Sequence, residues 1–286
     1  MKKILASGFY PVLLIAKKEI MDNIRNFWIV LVTAIFILLT LTVSYFGSLG
    51  STGWNDLGLT VVMMESQVRF LIPILALMLG YAAVVGEIER GSMDLLLSLP
   101  VRREEIVIGK YMGLSATLAI PTLLGFGCAG IVIGVMVGEM NYLEYIIFIL
   151  SSILFGMVYL SISFFLSTIF KRRSTAIGGA IFLWFFFSMI LPMIVVGIGI
   201  MGGAFSNGIE NTPSWYLALS LVNPSSAYSA LIDLNLKPVS PAAAQMSGFS
   251  FDYPPFYTSE LMVSILLAWV VTFVCLSLIV FKRRDI

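Results

Sequence analysis

Long apolar runs alternate with short charged ones along most of this chain. A bilayer span takes about 20 mainly apolar residues. Six runs meet that length closely enough: Phe27–Phe46, Arg69–Gly86, Tyr111–Gly138, Tyr145–Phe170, Thr175–Met201 and Leu261–Phe281. The third is long and carries Pro121 and several glycines, so a kink or a projection past the bilayer is expected. Ahead of the first run, Phe9–Asn26 has a helical period. Val12, Ile15, Ile20 and Ile24 can share one side, with Lys17, Lys18, Asp22 and Arg25 mainly on another. Such a helix lies in the membrane interface with its apolar face down; the alternative is an extension of the first span.

The connections differ in kind. GEIERGSMDLLLSLPVRREEIVIGK, residues 86–110, packs charges around a leucine run. Ser92 can cap a helix there, and Asp94 favours its first turn through the helix dipole. Met93, Leu96 and Leu97 would share one side, with Leu95 and Leu99 alongside, and Pro100 ends the helix. A second turn around Glu104–Gly109 runs into the third span. The bilayer covers one apolar face of this short helix and the rest fits a groove on a partner; the alternative is an ordinary basic loop. KRRS at Lys171–Ser174 is a tight hairpin whose cations read as orientation signals. The longest polar connection, Gly202–Glu260, spans 59 residues. It predicts short helices at Ser214–Val222 and Ser225–Leu234, an irregular tract beyond them, and aromatics in the interfacial belt. In the fourth run Ser161, Ser163, Ser167 and Thr168 either line a path or bond to their own helix backbone. Gly130, Gly134 and Gly138 form a smooth ridge on the third run, suited to close helix packing.

Composition settles the solvent. The chain is 59% hydrophobic and 12% charged, against about 25% charged in soluble domains. The fold class is therefore an all-α polytopic membrane protein, read as a single transmembrane domain over residues 1–286. Of 17 basic residues, 15 lie in the N-terminal segment, the connections after spans two and four, and the C-terminus. That face is seven charges positive and the opposite face six negative. The positive-inside rule then puts both termini in the cytoplasm of a prokaryotic cell, with residues 87–110 inside and residues 202–260 outside. No charged residue lies deep in a span, which leaves a proton- or ion-coupled carrier without its usual relay. Histidine is absent, which removes the commonest general base and metal ligand. The two cysteines, Cys128 and Cys275, fall inside apolar runs and read as buried thiols. No phosphate-binding loop is present, since Gly109-Lys110 is followed by Tyr111. An enzyme of its own, a bound cofactor, a metal site and a nucleic-acid partner are all unexpected.

Several stretches resemble the permease subunit of ABC transporters of the type-2 export family. They are AKKEIMDNIRN before the first span, GEIERGSMDLLLSLPVRREEIVIGK after the second, LVNPSSAY in the outer connection, and the terminal FKRRDI. Within that family the arrangement is similar to permeases associated with multicopper-enzyme maturation, including nitrous oxide reductase assembly, although a chain without histidine lends little to direct copper transport. The resemblance implies a coupling helix seated in a cleft of a separate cytoplasmic ATPase, which would bind ATP and Mg. Glu87, Glu89, Arg90, Gly91 and Ser92 would lead into it. Met93, Asp94, Leu96, Leu97, Leu99 and Pro100 would supply the contact surface, flanked by Arg102, Arg103 and Glu105. Phe9–Asn26, with Lys17, Lys18, Glu19 and Arg25, would be an interfacial connecting helix that also touches the ATPase. A second permease copy, identical or related, would complete the translocation path. The competing reading is a partner-independent channel or secondary carrier.

Overall fold

The structure is a computed structural model that describes residues 9–47, 57–137, 142–206, 212–236 and 253–284. Every regular element among them is a helix. In chain order they are α1 (Phe9–Ile24), α2 (Phe27–Gly47), α3 (Leu57–Gly80), α4 (Val85–Glu89), α5 (Ser92–Leu97), α6 (Arg103–Val137) and α7 (Tyr142–Ile169). Then follow α8 (Arg173–Phe185), a π turn (Phe186–Ile190), α9 (Leu191–Met201), α10 (Ser214–Ser220), α11 (Pro224–Asn235) and α12 (Ser259–Arg283).

Five described stretches are long and apolar enough to cross a membrane: Met63–Glu89, Arg103–Ile131, Tyr142–Ile169, Arg173–Met201 and Ser259–Arg283. They match the second to sixth runs of the sequence. The first run corresponds to α2, 21 residues long, whose described apolar stretch Val30–Val43 is shorter. At 1.5 Å per residue the 35 residues of α6 extend roughly 52 Å. A hydrocarbon core is about 30 Å thick, so α6 projects beyond it, with Pro121 inside the helix.

The core is organised on α7, which packs against α3, α6, α11 and α12. Phe148, Phe155, Tyr159 and Phe164 are fully buried along it. Its hydroxyls are buried too, and they act as internal ties. Ser161 and Thr168 donate to their own helix, at Val158 and Phe165 (2.7 Å each). Ser163 donates across to the Leu77 carbonyl (3.1 Å). By contrast, most of α8, α9 and α12 presents bare apolar side chains outward. Cys128 and Cys275 are unpaired and exposed on α6 and α12, not buried as their apolar surroundings predicted. Gly130 admits the Tyr145 ring: a Cβ there would meet it at 2.5 Å. Its ridge partner Gly138 lies outside the described residues.

At the end away from the basic hairpin, α10 and α11 fall where the sequence places short helices. Asn223 caps α11 by accepting from the Ser225 N–H (2.9 Å) and donates to the Phe187 carbonyl in the π turn (2.9 Å). Tyr228 stacks on Phe155 at 4.6 Å and meets the Ser152 hydroxyl (2.9 Å). Tyr159 meets Ser225 (3.1 Å). Tyr228 and Tyr257 are therefore interior residues, not members of an interfacial belt. Arg69 donates to Ser229 (2.8 Å), which donates to Glu65 (2.7 Å). Burial raises the Asp233 carboxyl pKa above its ordinary value, opposed by a Tyr253 hydrogen bond and by Arg69. Most of the tract expected to be irregular, residues 237–252, lies outside the described residues.

Candidate functional site

The charged hairpin begins where α3 ends. Residues 81–84 turn, and α4 starts with its first amides aimed at α7. The Ser167 hydroxyl accepts from the Val84 and Val85 N–H groups (2.9 and 3.1 Å), satisfying donors that a helix N-terminus leaves open. At the other end of α4, the Glu89 carboxylate accepts from the Arg173 backbone N–H (2.8 Å). It thus caps α8, where a negative charge suits the helix dipole. Arg173 reciprocates: its guanidinium donates to the Gly86 carbonyl (2.5 Å), and its Nε lies 3.3 Å from Glu89. Arg173 is thus a staple between α4 and α8, a role beyond the orientation signal expected of it.

Gly91 separates α4 from α5 with φ of +69°, a left-handed conformation that glycine adopts without a Cβ penalty. The Ser92 hydroxyl does not cap α5; it donates back to the Glu87 carbonyl (3.3 Å). Met93 is fully buried beneath α5, while Leu96 and Leu97 are half-buried against the core. Leu95 and Leu99 point the other way, 71% and 52% exposed. Asp94, Ser98 and Pro100 share that exposed surface. The outward apolar pair is therefore Leu95 with Leu99, and Leu95 is the contact candidate that helical spacing alone placed only alongside.

Beneath the hairpin, Lys110 of α6 is 1% exposed. Its ammonium pairs with Glu19 of α1 and with Glu87 of α4, the latter at 2.8 Å. Lys18 bonds the same Glu87 oxygen at 3.2 Å and lies 3.8 Å from Asp22. A lone buried ammonium would cost several kcal/mol in desolvation; two cations facing two carboxylates offset most of it. Partial burial works against the Lys18 charge, but Glu87, with Glu19 and Asp22, outweighs it and holds its pKa above the ordinary value. α1 reaches this position because it crosses α6 at two glycines. A Cβ on Gly109 would meet Ile15 at 2.8 Å, and one on Gly113 would meet the Ala16 carbonyl at 2.6 Å. The inward stripe of α1 is accordingly Val12, Ile15, Ala16 and Glu19, while Ile24 is exposed. The helix lies on α6 first, leaving Tyr10, Leu13, Leu14 and Met21 facing out.

Two further cations end helices. Arg103 donates to the carbonyls of Phe281, Lys282 and Arg284 (3.3, 3.2 and 2.8 Å), closing the C-terminus of α12. Arg284 donates to Thr168 and Phe170 (2.6 and 3.0 Å), closing α7. Both use the preference of cations for helix C-termini. The Glu105 carboxylate accepts from the Arg102 N–H (2.8 Å) at the start of α6, half of a capping box. Of the residues singled out in sequence, then, Glu19, Glu87, Glu89, Arg103 and Glu105 hold the hairpin in place. Arg90, Gly91, Asp94, Leu99, Pro100 and Arg102 stay at the surface, as do Lys17 and Arg25 of α1. Lys110 and the Gly109/Gly113 crossing escaped sequence reasoning, although small residues spaced by four around a lysine were a readable sign.

Among proteins of known kind, residues 13–286 match the family described as ABC-2 family transporter protein. The chain is 32% identical to NosY of Stutzerimonas stutzeri over 276 residues, covering 94% of this chain and 97% of that protein. It is 35% identical to NosY of Pseudomonas aeruginosa over 227 residues, covering 77% and 80%. Both relatives are named as probable ABC transporter permease proteins. With its apolar helices, charged hairpin and likeness to two permeases over most of its length, the chain belongs to the ABC-2 transporter family and is a membrane permease component of an ABC transporter.

Proposed function

We propose that this permease is driven by a separate cytoplasmic ATPase that grips α5, and that it exports its substrate along a path shared with a second permease copy. In this reading α2 is the first of six spans and both termini lie in the cytoplasm of a prokaryotic cell, consistent with the charge asymmetry. ATP and Mg sit on the partner. α1 contributes Lys17 and Arg25 to the docking face beside Arg90, Asp94, Leu95, Leu99, Pro100 and Arg102.

The observation that carries the proposal is the two-sidedness of α5. Leu95 and Leu99 face solvent among charged residues, while the root of the hairpin is tied by Ser167, Arg173 and Lys110 to α7, α8, α1 and α6. An exposed apolar pair on a fixed mount is what a groove on a partner would seize, and the mount carries motion into the membrane helices. The test is purification of the tagged chain from its own membranes, with ATP hydrolysis measured on the recovered complex. Leu95→Asp with Leu99→Asp should strip away the ATPase while membrane insertion persists. If the double variant keeps an equal amount of ATPase and still transports in an ATP-dependent way, the docking assignment is wrong.

A further inference from the structure

Two cavities meet on the basic side of the molecule. One, of about 410 Å³, opens between the end of α1, the α3–α4 link and the start of α8, a volume within the roughly 300–1,000 Å³ typical of small-molecule sites. Its walls carry Asn23, Glu87, Arg90 and Arg173, and its floor is apolar, with Met78 and Leu114 among others. The second, of about 190 Å³, runs between α3 and α8 and is lined by Leu77, Ile177, Ile181 and Trp184. Met78 and Tyr81 line both, so a charged chamber leads directly into an apolar groove.

Three polar atoms along this route make no hydrogen bond. Glu87 uses one oxygen for Lys110 and Lys18; its other oxygen, Oε2, is buried and makes no hydrogen bond. The Arg173 Nε, 3.3 Å from Glu89, also makes no hydrogen bond, and the Trp184 indole N–H is buried without a partner. Arg90, at the rim, makes no ion pair among the described residues. Buried polar groups are normally satisfied, so such a cluster asks for a ligand of matching chemistry. The unpaired Arg90 guanidinium beside Arg173 calls for an anion, the free Glu87 oxygen for an N–H donor, and the groove for a hydrocarbon chain. The indole N–H suits an ester carbonyl.

We propose that this cleft binds a phospholipid with a primary-ammonium head group: its phosphate lies between Arg90 and Arg173, its ammonium on Glu87, and one acyl chain in the α3–α8 groove. Choline head groups cannot donate to Glu87, and glycerol head groups bring no positive charge to it. The inference rests on the basic face lying at a membrane surface and shares only Arg90 with the proposed ATPase face; loss of ATPase binding in the α5 double variant would leave it intact.

The test is lipid retention. The full chain is reconstituted in nanodiscs of equal parts dioleoyl phosphatidylethanolamine, phosphatidylglycerol and phosphatidylcholine, then extracted, and bound lipid is counted by native mass spectrometry. Wild type should retain phosphatidylethanolamine over the other two. Ile181→Trp, which fills the exposed groove wall, should reduce retention of all three. Arg90→Ala, which removes no internal contact, should weaken phosphatidylethanolamine about tenfold, as loss of one charge-assisted hydrogen bond predicts. Equal retention of the three lipids, or retention untouched by Ile181→Trp, overturns the proposal. So does a disulfide formed between two chains carrying Ile181→Cys, which would show a second copy in the groove.

Discussion

The two ends of this molecule are fastened by different chemistry. At the basic end, full charges do the fastening: Lys110 against Glu19 and Glu87, Arg173 on Glu89 and Gly86, Arg103 and Arg284 on the carbonyls that end α12 and α7. At the opposite end most ties are neutral: Asn223 on the π turn, Tyr228 on Ser152 and Phe155, Tyr159 on Ser225, with one Arg69–Ser229–Glu65 chain beside them. Neutral hydrogen bonds are worth about 1 kcal/mol each net, whereas stranding one member of a buried ion pair costs about 3–5 kcal/mol. The end that carries the charged hairpin is thus built from the interactions that lose most when a partner is removed.

That contrast is open to direct attack. The largest effect is expected from Lys110→Met, which leaves Glu19 and Glu87 facing each other inside; about 3–5 kcal/mol of stability should be lost, read as a fall in the thermal unfolding midpoint in detergent. Adding Glu19→Gln and Glu87→Gln to it should recover most of that loss, and an unchanged midpoint in Lys110→Met alone would break the comparison. Next comes Asn223→Ala at the neutral end. It removes the α11 cap and strands the Phe187 carbonyl, so about 2 kcal/mol should go. Tyr228→Phe keeps the stack on Phe155 and deletes only the bond to Ser152, for about 1 kcal/mol. The smallest effect belongs to Lys282→Ala. Its pair with Glu104 (2.5 Å) is half in solvent, and exposed pairs of this kind contribute little; the midpoint should not move.

Much of this was legible before any coordinates. Apolar runs of span length reported the long helices, and Pro224 between two periodic segments reported α10 and α11. A start at Ser92 and a break at Pro100 framed α5, although Gly91, not Ser92, is its N-cap. What could not be read was which side of each element faces inward. α5 is six residues long, so a helical period assigns its leucines to sides without saying which side the rest of the chain will cover. The inward stripe of α1 contains Glu19, which any apolar pattern rejects; only the arrival of Lys110 from α6 makes it interior. Counting cations toward one membrane face was sound for orientation, yet it concealed that Arg103, Lys110, Arg173 and Arg284 each have a particular receptor. Those receptors are backbone carbonyls and carboxylates, most of them more than 80 positions away in sequence, and no local motif announces them.

The π turn at Phe186–Ile190 holds one residue more per loop than the helix on either side. Were that surplus residue squeezed out, everything on one side of it would swing about 100° around the axis relative to the other. The Phe187 carbonyl would then leave Asn223, and the α10–α11 cover would lose its grip on the fifth apolar stretch. The asparagine therefore works as a clutch: while it is engaged, the π turn between α8 and α9 and the α10–α11 cover can only turn together.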